Sequence, residues 1–343
     1  MSRVSHHWLA AFNRAGIPVI SIDPTNTGAS WHKSLLDFKL RSEALPQLLD
    51  GDLLLVHEPL SGAFSGIRLP LVVFSHGIEA RLRQVSLKFG LEGRRLRSLL
   101  LRPLWARLER AARRGLEAAG LVMVLNRSDE AYLRSTHQCR GRIFCFRNGV
   151  YGPPLLSANE DSSRRILFLG TWIERKGIRL IRSAYQQLRR TVPRLQWRLA
   201  GTQVEEADVR KYLGAEDDPN IEVIPRFPGD KEARVFEGCS LFILPSFMEG
   251  QPLALLEAMN RGLCCVTTAA DGQLDLVKDG DNGFFFPVGD AARFTELLQR
   301  LAGDVLAQQS VGQRARLSLA GRSWEAVSDE IVEAVQDFGA KFS

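Results

Sequence analysis

A chain of 343 residues is long enough for two domains of roughly 100 to 200 residues each, and 45 % hydrophobic with 24 % charged residues is ordinary for a globular protein, which excludes disordered and fibrous classes. No apolar run approaches the roughly 18 to 20 residues that span a bilayer, and the N-terminus lacks the charged-then-apolar order of a signal peptide. The expected location is therefore cytoplasmic. The net charge of +6 is local in origin: the stretch Arg81 to Arg114 holds eleven basic residues against Glu92 and Glu109, a balance of +9, and leaves −3 for the rest.

Val4 to Ala15 has helical periodicity, Gly16 stops it, and Pro18 to Ile22 reads as a strand ending at Asp23 and Pro24. Short continuous apolar runs follow at Leu53 to Val56, Leu71 to Phe74 and Leu121 to Leu125, as in a parallel sheet covered on both faces. Helical patterns lie between them, and this alternation predicts a doubly wound α/β sheet. The composition turns to Gly, Pro, Ser, Asn and acids around Gly149 to Ser163, which predicts a linker. A second series then supplies strands at Arg165 to Leu169, Gln196 to Ala200, Ile221 to Ile224, Leu241 to Leu244, Cys264 to Thr267 and Gly283 to Phe286. The expected division is residues 1–155, residues 156–322, and a C-terminal helical segment 323–343 that crosses back to the first domain. Cys139, Cys145, Cys239, Cys264 and Cys265 are odd in number and lack metal-ligand spacing, so buried free thiols are expected.

Ligands of open parallel sheets bind outside the carboxyl ends of the strands, which directs attention to the residues after each run. Gly170-Thr171-Trp172-Ile173-Glu174-Arg175-Lys176-Gly177 joins a strand to a helix. Arg175, through its fork, and Lys176, as a point charge, suit a diphosphate, and Gly177 permits close backbone approach. A basic pair before a helix is also an ordinary solvated surface, and both readings fit this loop alone. The second loop, Pro245 to Met259, follows the strand Leu241 to Leu244. Pro252 suits a first helical position, so the amides of Leu253 and Ala254 face the strand exit as an anion site. Glu249 lies before that helix and Glu257 inside it, and carboxylates accept hydrogen bonds from hydroxyls. Cations and amides for phosphates with two carboxylates for hydroxyls describe a sugar nucleotide; a helix start with acids favoured by its dipole is the other reading.

The order Arg-Lys-Gly, Pro-Ser-x-x-Glu-Gly-x-Pro-x-x-x-x-Glu-Ala, Asp279-Gly280-Asp281-Asn282-Gly283 and Pro287-Val288-Gly289-Asp290 resembles the retaining glycosyltransferases of family 4, the glycosyl transferases group 1. The likeness extends more weakly to Leu55-Val56-His57, Ser75-His76-Gly77-Ile78-Glu79 and Arg147-Asn148-Gly149-Val150. It implies a GT-B fold, two Rossmann-like doubly wound domains facing a cleft, with acceptor site first and donor site second. It further implies transfer of a hexose from a nucleotide diphosphate sugar to a glycan or lipid-linked acceptor, in polysaccharide or envelope glycan synthesis, with no cofactor and no metal. On this resemblance Glu249 contacts the sugar, Gly250, Gln251, Pro252, Leu253 and Ala254 line sugar and phosphate, and Glu257 holds the ribose. Lys176, with Arg175, balances the departing diphosphate; Gly170 and Thr171 stand beside it, and the loop Pro225-Arg226-Phe227 lies near the base. His76 falls close to donor and acceptor, with Glu79 on the acceptor side. His6, His7, His32 and His137 read as surface or packing residues.

Two departures accompany the likeness. The family's opening strand and Gly-rich loop are missing before the first helix, so the N-terminal domain is expected to be truncated at its start, and Thr171 stands where the family often has a phosphate-binding Arg. These departures leave open a degenerate protein of the same fold that binds a nucleotide sugar or a partner without turnover, and a sugar-nucleotide epimerase of related architecture is a third reading. Asp279-Gly280-Asp281 imitates a metal motif but is a turn signal. The absence of Gly-x-Gly-x-x-Gly after a strand argues against a nicotinamide enzyme. The basic stretch Arg81 to Arg114, interleaved with leucines, predicts weak peripheral contact with an anionic membrane on its inner face, against a solvated helix face as the alternative. Its few aromatics argue against nucleic acid.

Overall fold

A computed structural model describes residues 3–20, 52–58, 60–91, 95–136, 139–151, 165–228 and 232–342. Pro24, His32, Glu92, Arg94, His137 and most of the expected linker lie outside the described residues. Contacts divide the chain into one unit of Met1–Gly149 with Ser323–Ser343 and a second of Val150–Arg322. The boundary thus falls where Gly149 meets Val150, earlier than residue 155, and the C-terminal segment packs within the first unit.

In the first unit, helix α1 (Arg3–Arg14) is ended by Gly16, whose φ of 71° is left-handed backbone that glycine adopts without strain. Pro18 to Ile20 join no strand among the described residues, and Ile22 lies outside them. Strands β1 (Leu54–His57), β2 (Leu71–Ser75), β3 (Leu121–Val124) and β4 (Arg142–Cys145) form a parallel sheet in the order β1-β2-β3-β4. Between them run α2 (Glu79–Lys88), α3 (Arg95–Ala118) and α4 (Arg127–Thr136). Val72, Val73 and all of β3 are wholly buried, which is why these runs are continuously apolar. Helix α12 (Trp324–Gly339) lies against α1: His7 stacks on Trp324 at 4.4 Å between ring centroids, and Arg14 meets Asp329 at 2.7 Å.

The second unit is a six-stranded parallel sheet. Its strands are β5 (Arg165–Leu169), β6 (Gln196–Ala200), β7 (Ile221–Ile224), β8 (Leu241–Leu244), β9 (Cys264–Thr268) and β10 (Phe284–Phe286), ordered β10-β9-β8-β5-β6-β7. The chain winds from β5 outward to β7, returns to the other side of β5, and winds outward again to β10. The reversal lies between β5 and β8, paired at Ile166 with Leu241 and Phe168 with Ile243. Helices α5 (Ile178–Thr191), α6 (Glu206–Leu213), α7 (Glu232–Phe236), α8 (Leu253–Asn260), α9 (Asp271–Leu274), α10 (Ala291–Ala302) and α11 (Val305–Leu317) complete it. Cys239, Cys264 and Cys265 are buried free thiols whose burial pushes their ionisation up, while Cys139 and Cys145 are half-buried.

The 3-10 turn Leu60–Phe64 packs on α3 through two glycines. A Cβ on Gly62 would stand 2.2 Å from the Ala111 carbonyl oxygen, and one on Gly115 would stand 2.0 Å from Ser61 Oγ. Both contacts forbid a methyl group. Gly62→Ala is expected to lower the stability of this unit by about 1–3 kcal/mol through overpacking, measured by urea denaturation; a midpoint unchanged from wild type would show that the helix yields without penalty.

Candidate functional site

In open α/β sheets the crevice for ligands opens where the winding reverses, here beyond the exits of β5 and β8. The two loops singled out in the sequence leave from these adjacent strands. Residues Glu174–Lys176 form a 3-10 turn ended by Gly177 at φ 78°, which starts α5. Glycine is required there twice over, because a Cβ would also lie 2.0 Å from the Pro245 carbonyl oxygen. The close approach expected of Gly177 is thus to the neighbouring loop.

That contact seats the loops side by side, and polar bonds fasten them. Phe247 N donates to the Arg175 carbonyl oxygen at 2.9 Å, and Arg175 Nη1 donates to the Met248 carbonyl oxygen at 3.0 Å. Lys176 Nζ donates to Glu249 Oε1 at 2.6 Å, while Arg175 Nη1 is 3.7 Å from Glu249 Oε2. The Lys176 and Glu249 side chains are only 18 % and 9 % exposed. This pair is therefore held in a low-dielectric pocket where each charge depends on the other.

The far side of the Glu249 loop is fixed from β9. Gly272 N donates to the Glu249 carbonyl oxygen at 3.2 Å, and a Cβ on Gly272 would sit 1.8 Å from the Gly250 oxygen. Asp271, just before it, holds φ 40°, a left-handed conformation that is strained for a residue with a side chain. Gln251 Oε1 accepts from Arg322 Nη2 at 2.7 Å. Pro252 is the N-cap of α8, one position before the expected first helical residue: its ψ of 112° is extended, and its carbonyl accepts from Leu256 N at 3.2 Å. The amides of Leu253 and Ala254 consequently open the first turn without intrahelical acceptors, and the helix dipole adds positive potential there. Glu257 is buried one turn further in.

Gly170 and exposed Thr171 stand at the β5 exit. Arg226 is exposed beyond β7 and donates through Nε to Gln203 Oε1 at 3.0 Å. At about 4.8 Å per strand it lies roughly 14 Å across the sheet from β8. The structure thus gathers Gly170, Thr171, Arg175, Lys176 and Glu249 to Glu257 at the reversal and sets Arg226 at the sheet's edge. Asp279 Oδ1 accepts from Phe285 N at 2.8 Å and Asp281 pairs with Arg314 at 2.9 Å, so the Asp-Gly-Asp motif closes a turn.

The first unit carries His76 and Glu79 beyond β2. His76 lies 4.9 Å from the His57 ring and edge-on to Phe74, and burial pushes its ionisation below the ordinary imidazole value, which favours the neutral ring at pH 7. Glu79 begins α2, and its amide donates to Glu58 Oε1 at 3.2 Å. Glu58 was not legible as a site residue, although an acid directly after the apolar run ending at His57 was the available signal. It is 3 % exposed, and burial raises its ionisation from the ordinary 4.5 to about 7, against a hydrogen bond from Ser75 that lowers it; Glu79 and Asp129 add repulsion. Of the basic stretch, Arg81 pairs with Asp129, Arg83 with Glu109 at 2.6 Å and Arg113 with Glu117 at 2.7 Å, so part of its charge is neutralised within the unit. No helix among the described residues is long and apolar enough to cross a membrane.

Residues 163–304 match the family model described as Glycosyl transferases group 1. A UDP-Gal:alpha-D-GlcNAc-diphosphoundecaprenol alpha-1,3-galactosyltransferase of Escherichia coli is 37 % identical over 70 residues, 20 % of this chain and 18 % of the relative. A putative colanic acid biosynthesis glycosyltransferase of Salmonella typhimurium is 31 % identical over 158 residues, 43 % of this chain and 38 % of the relative. These alignments span less than two fifths of either relative's length. The sucrose-phosphate synthase structure from Thermosynechococcus elongatus superposes with a TM-score of 0.77 at 19 % identity, covering 98 % of this chain and 93 % of that one. The fold is therefore GT-B, as the sequence motifs imply.

Glu58 has a direct consequence for stability. Between pH 4.5 and about 7 the folded carboxyl keeps a proton that the unfolded chain releases, so stability falls as pH rises through that window. The full effect is about 3 kcal/mol, and Glu58→Gln is expected to abolish it. Denaturant titrations of both proteins from pH 4 to 8 measure this; parallel profiles would contradict a buried carboxyl with raised ionisation.

Proposed function

We propose that this chain is a retaining, metal-independent glycosyltransferase of family 4 that moves a hexose from a nucleotide diphosphate sugar to a glycan or lipid-linked acceptor in polysaccharide or envelope glycan synthesis. The observation that carries the reading is the Lys176–Glu249 contact at 2.6 Å beside the open first turn of α8, at the point where the sheet's winding reverses. It puts a cation, free amides and a carboxylate within one small region. A diphosphate has chemistry for the first two and a hexose for the third.

Breaking the glycosyl bond builds negative charge on the departing phosphate and positive character on the sugar. Fixed donors aimed at that phosphate stabilise the transition state more than the ground state. Lys176 supplies the mobile charge, the Leu253 and Ala254 amides supply fixed dipoles, and Arg175 orients the loop through its bond to Met248. Glu249 accepts hydroxyls of the sugar, Gly250 and Gln251 shape the turn around it, and Glu257 takes the ribose. Arg226, at the β7 edge, suits the base end of an extended nucleotide. His76 and Glu79 serve the acceptor side, where a neutral imidazole can both accept and donate. Retention fits same-face attack in which a phosphate oxygen helps to deprotonate the acceptor.

The UDP-galactose in the name of the Escherichia coli relative makes UDP-hexoses the first donors to examine, and its lipid diphosphate acceptor suits a cytoplasmic protein working at the inner face of the cell membrane. Arg81 to Arg114, with no nucleic acid partner, would supply weak anionic contact there. Sedimentation with liposomes tests it: binding to vesicles with anionic lipid and none to neutral vesicles is expected, and absence from both removes the membrane contact.

The donor reading is tested by thermal shift against UDP-, GDP- and ADP-sugars. A donor at a hundred times its Kd adds about 2.7 kcal/mol to the folded state. Lys176→Ala is expected to lower turnover by about 10²- to 10³-fold, and Glu249→Gln to weaken hexose discrimination while the nucleotide still binds. Wild-type turnover in both variants sinks the reading. Donor binding by the wild type without transfer or hydrolysis would leave a degenerate binding protein, and a new sugar nucleotide formed without acceptor would indicate an epimerase.

A further inference from the structure

The first unit contains a cavity of about 240 Å³ between the end of β1, the start of α2 and the second half of α3. Ile78, Ala80, Ala106, Ala112 and Leu116 give it apolar walls, and the exposed Arg110 and Arg113 at its edge connect it to solvent. Glu58 lies at its inner end. The carboxyl accepts from the Glu79 amide at Oε1 and has the Ser75 hydroxyl against it, while Oε2 is buried and has no hydrogen-bond partner among the described residues. An orphaned buried carboxyl oxygen is costly, and a fold that retains one beside a cavity leaves room for a ligand to satisfy it.

The other charged groups around the cavity are engaged. Glu109 pairs with Arg83, Arg113 pairs with Glu117, Arg110 Nε donates to the Ala106 carbonyl oxygen, and Asp129 behind the wall pairs with Arg81. Among these groups Glu58 alone carries a buried side-chain atom without a partner; the exposed Arg110 guanidinium has no acid beside it and faces solvent.

We propose that this cavity is a subsite for one hydroxylated ring of the acceptor, with a ligand hydroxyl on Glu58 Oε2. The proposal rests on the reading of the chain as a glycosyltransferase. Three features select the ligand class. The volume is below the roughly 300–1,000 Å³ of drug-sized sites and admits a single small ring. The alanine, isoleucine and leucine walls suit the C–H face of a sugar. A hydroxyl both donates and accepts, so it satisfies Oε2 whether Glu58 is ionised or protonated, whereas an ammonium serves only the ionised form and a carbonyl only the protonated form. Glu58 sits just beyond β1, at the carboxyl end of a parallel sheet where ligand groups collect. It binds and positions; no proton transfer is assigned to it.

Saturation-transfer NMR on the full chain tests this with methyl α-galactoside, methyl α-glucoside, N-acetylglucosamine and glycerol as probes. At least one sugar is expected to bind saturably to the wild type. Glu58→Gln, which keeps the shape, should weaken it about tenfold, and Ala106→Leu, which fills the cavity from α3, should abolish it. The donor-induced thermal shift of both variants should equal that of the wild type, which also reports that they are folded. Sugar binding that depends on these residues in a protein with no donor shift would support the subsite while removing the donor reading. Wild-type protein that binds no sugar, or variants within twofold of wild type, would overturn the proposal and leave a water-filled pocket.

Discussion

The second unit's site depends on the ion pair between Lys176 and Glu249, because it ties together two loops whose paired residues are 73 positions apart in the chain. What places them is the reversal of winding between β5 and β8, which makes their strands neighbours and gives their exits a common rim. The backbone contact of Gly177 on Pro245 then brings the chains close enough for a short charged bond. A half-buried pair of this kind contributes little net stability, since the desolvation of two charges offsets their attraction, but removing one partner costs about 3–5 kcal/mol. Its value is in specifying geometry. A ligand that offers phosphate to the lysine and hydroxyls to the carboxylate would replace Glu249 by another anion at Lys176 and supply hydrogen bonds at Glu249, with Arg175 still 3.7 Å from that carboxylate.

Rigidity of the Glu249 loop comes from backbone contacts on both sides. Arg175 and Phe247 bond it to the β5 loop, and Gly272 bonds it to the segment after β9. The strained φ of Asp271 belongs to the same clamp, since turning the chain there aims the Gly272 amide at Glu249 and lays its bare Cα on Gly250. Strain held by surrounding structure is a common means of fixing a functional loop before ligand arrives. Preorganised dipoles need not reorient as charge develops, and that is where electrostatic stabilisation is most effective.

Much of the second unit was legible because its strands are continuous apolar runs bounded by Gly, Pro and charged residues; Arg165–Leu169 and Leu241–Leu244 have the observed bounds. The motifs fell at strand exits for the same reason. Strand β4 was passed over. Ile143-Phe144-Cys145-Phe146 is a short apolar run, but the strand Arg142–Cys145 lies at the sheet's edge and none of its residues is fully buried. Of the strand expected at Pro18 to Ile22, the described residues Pro18 to Ile20 join no strand, and the rest lies outside the described residues. Pro252 missed by one position because a proline satisfies either the N-cap or the first helical site, and only the ψ angle separates them. Glu58 required knowledge of what covers it. An acid after a strand reads as solvated until α2 and α3 are seen to close over it.

The two sheets treat their strand-exit carboxylates differently, and burial decides the difference. Glu249 is buried beside two cations, so its charge is matched by groups that the fold brings to it. Glu58 is buried beside an amide, a hydroxyl and two further acids, while Arg81, Arg83 and Arg113 are committed to Asp129, Glu109 and Glu117. Nothing there compensates a full negative charge, which is why its ionisation rises to about 7. The consequence for the basic stretch follows from the same pairing. Arg81 and Arg113 pair with Asp129 and Glu117, acids outside the segment, so its +9, which already sets Glu109 against one cation, overstates the field it can project. Each cation so committed would take about 1 kcal/mol from any attraction to an anionic surface.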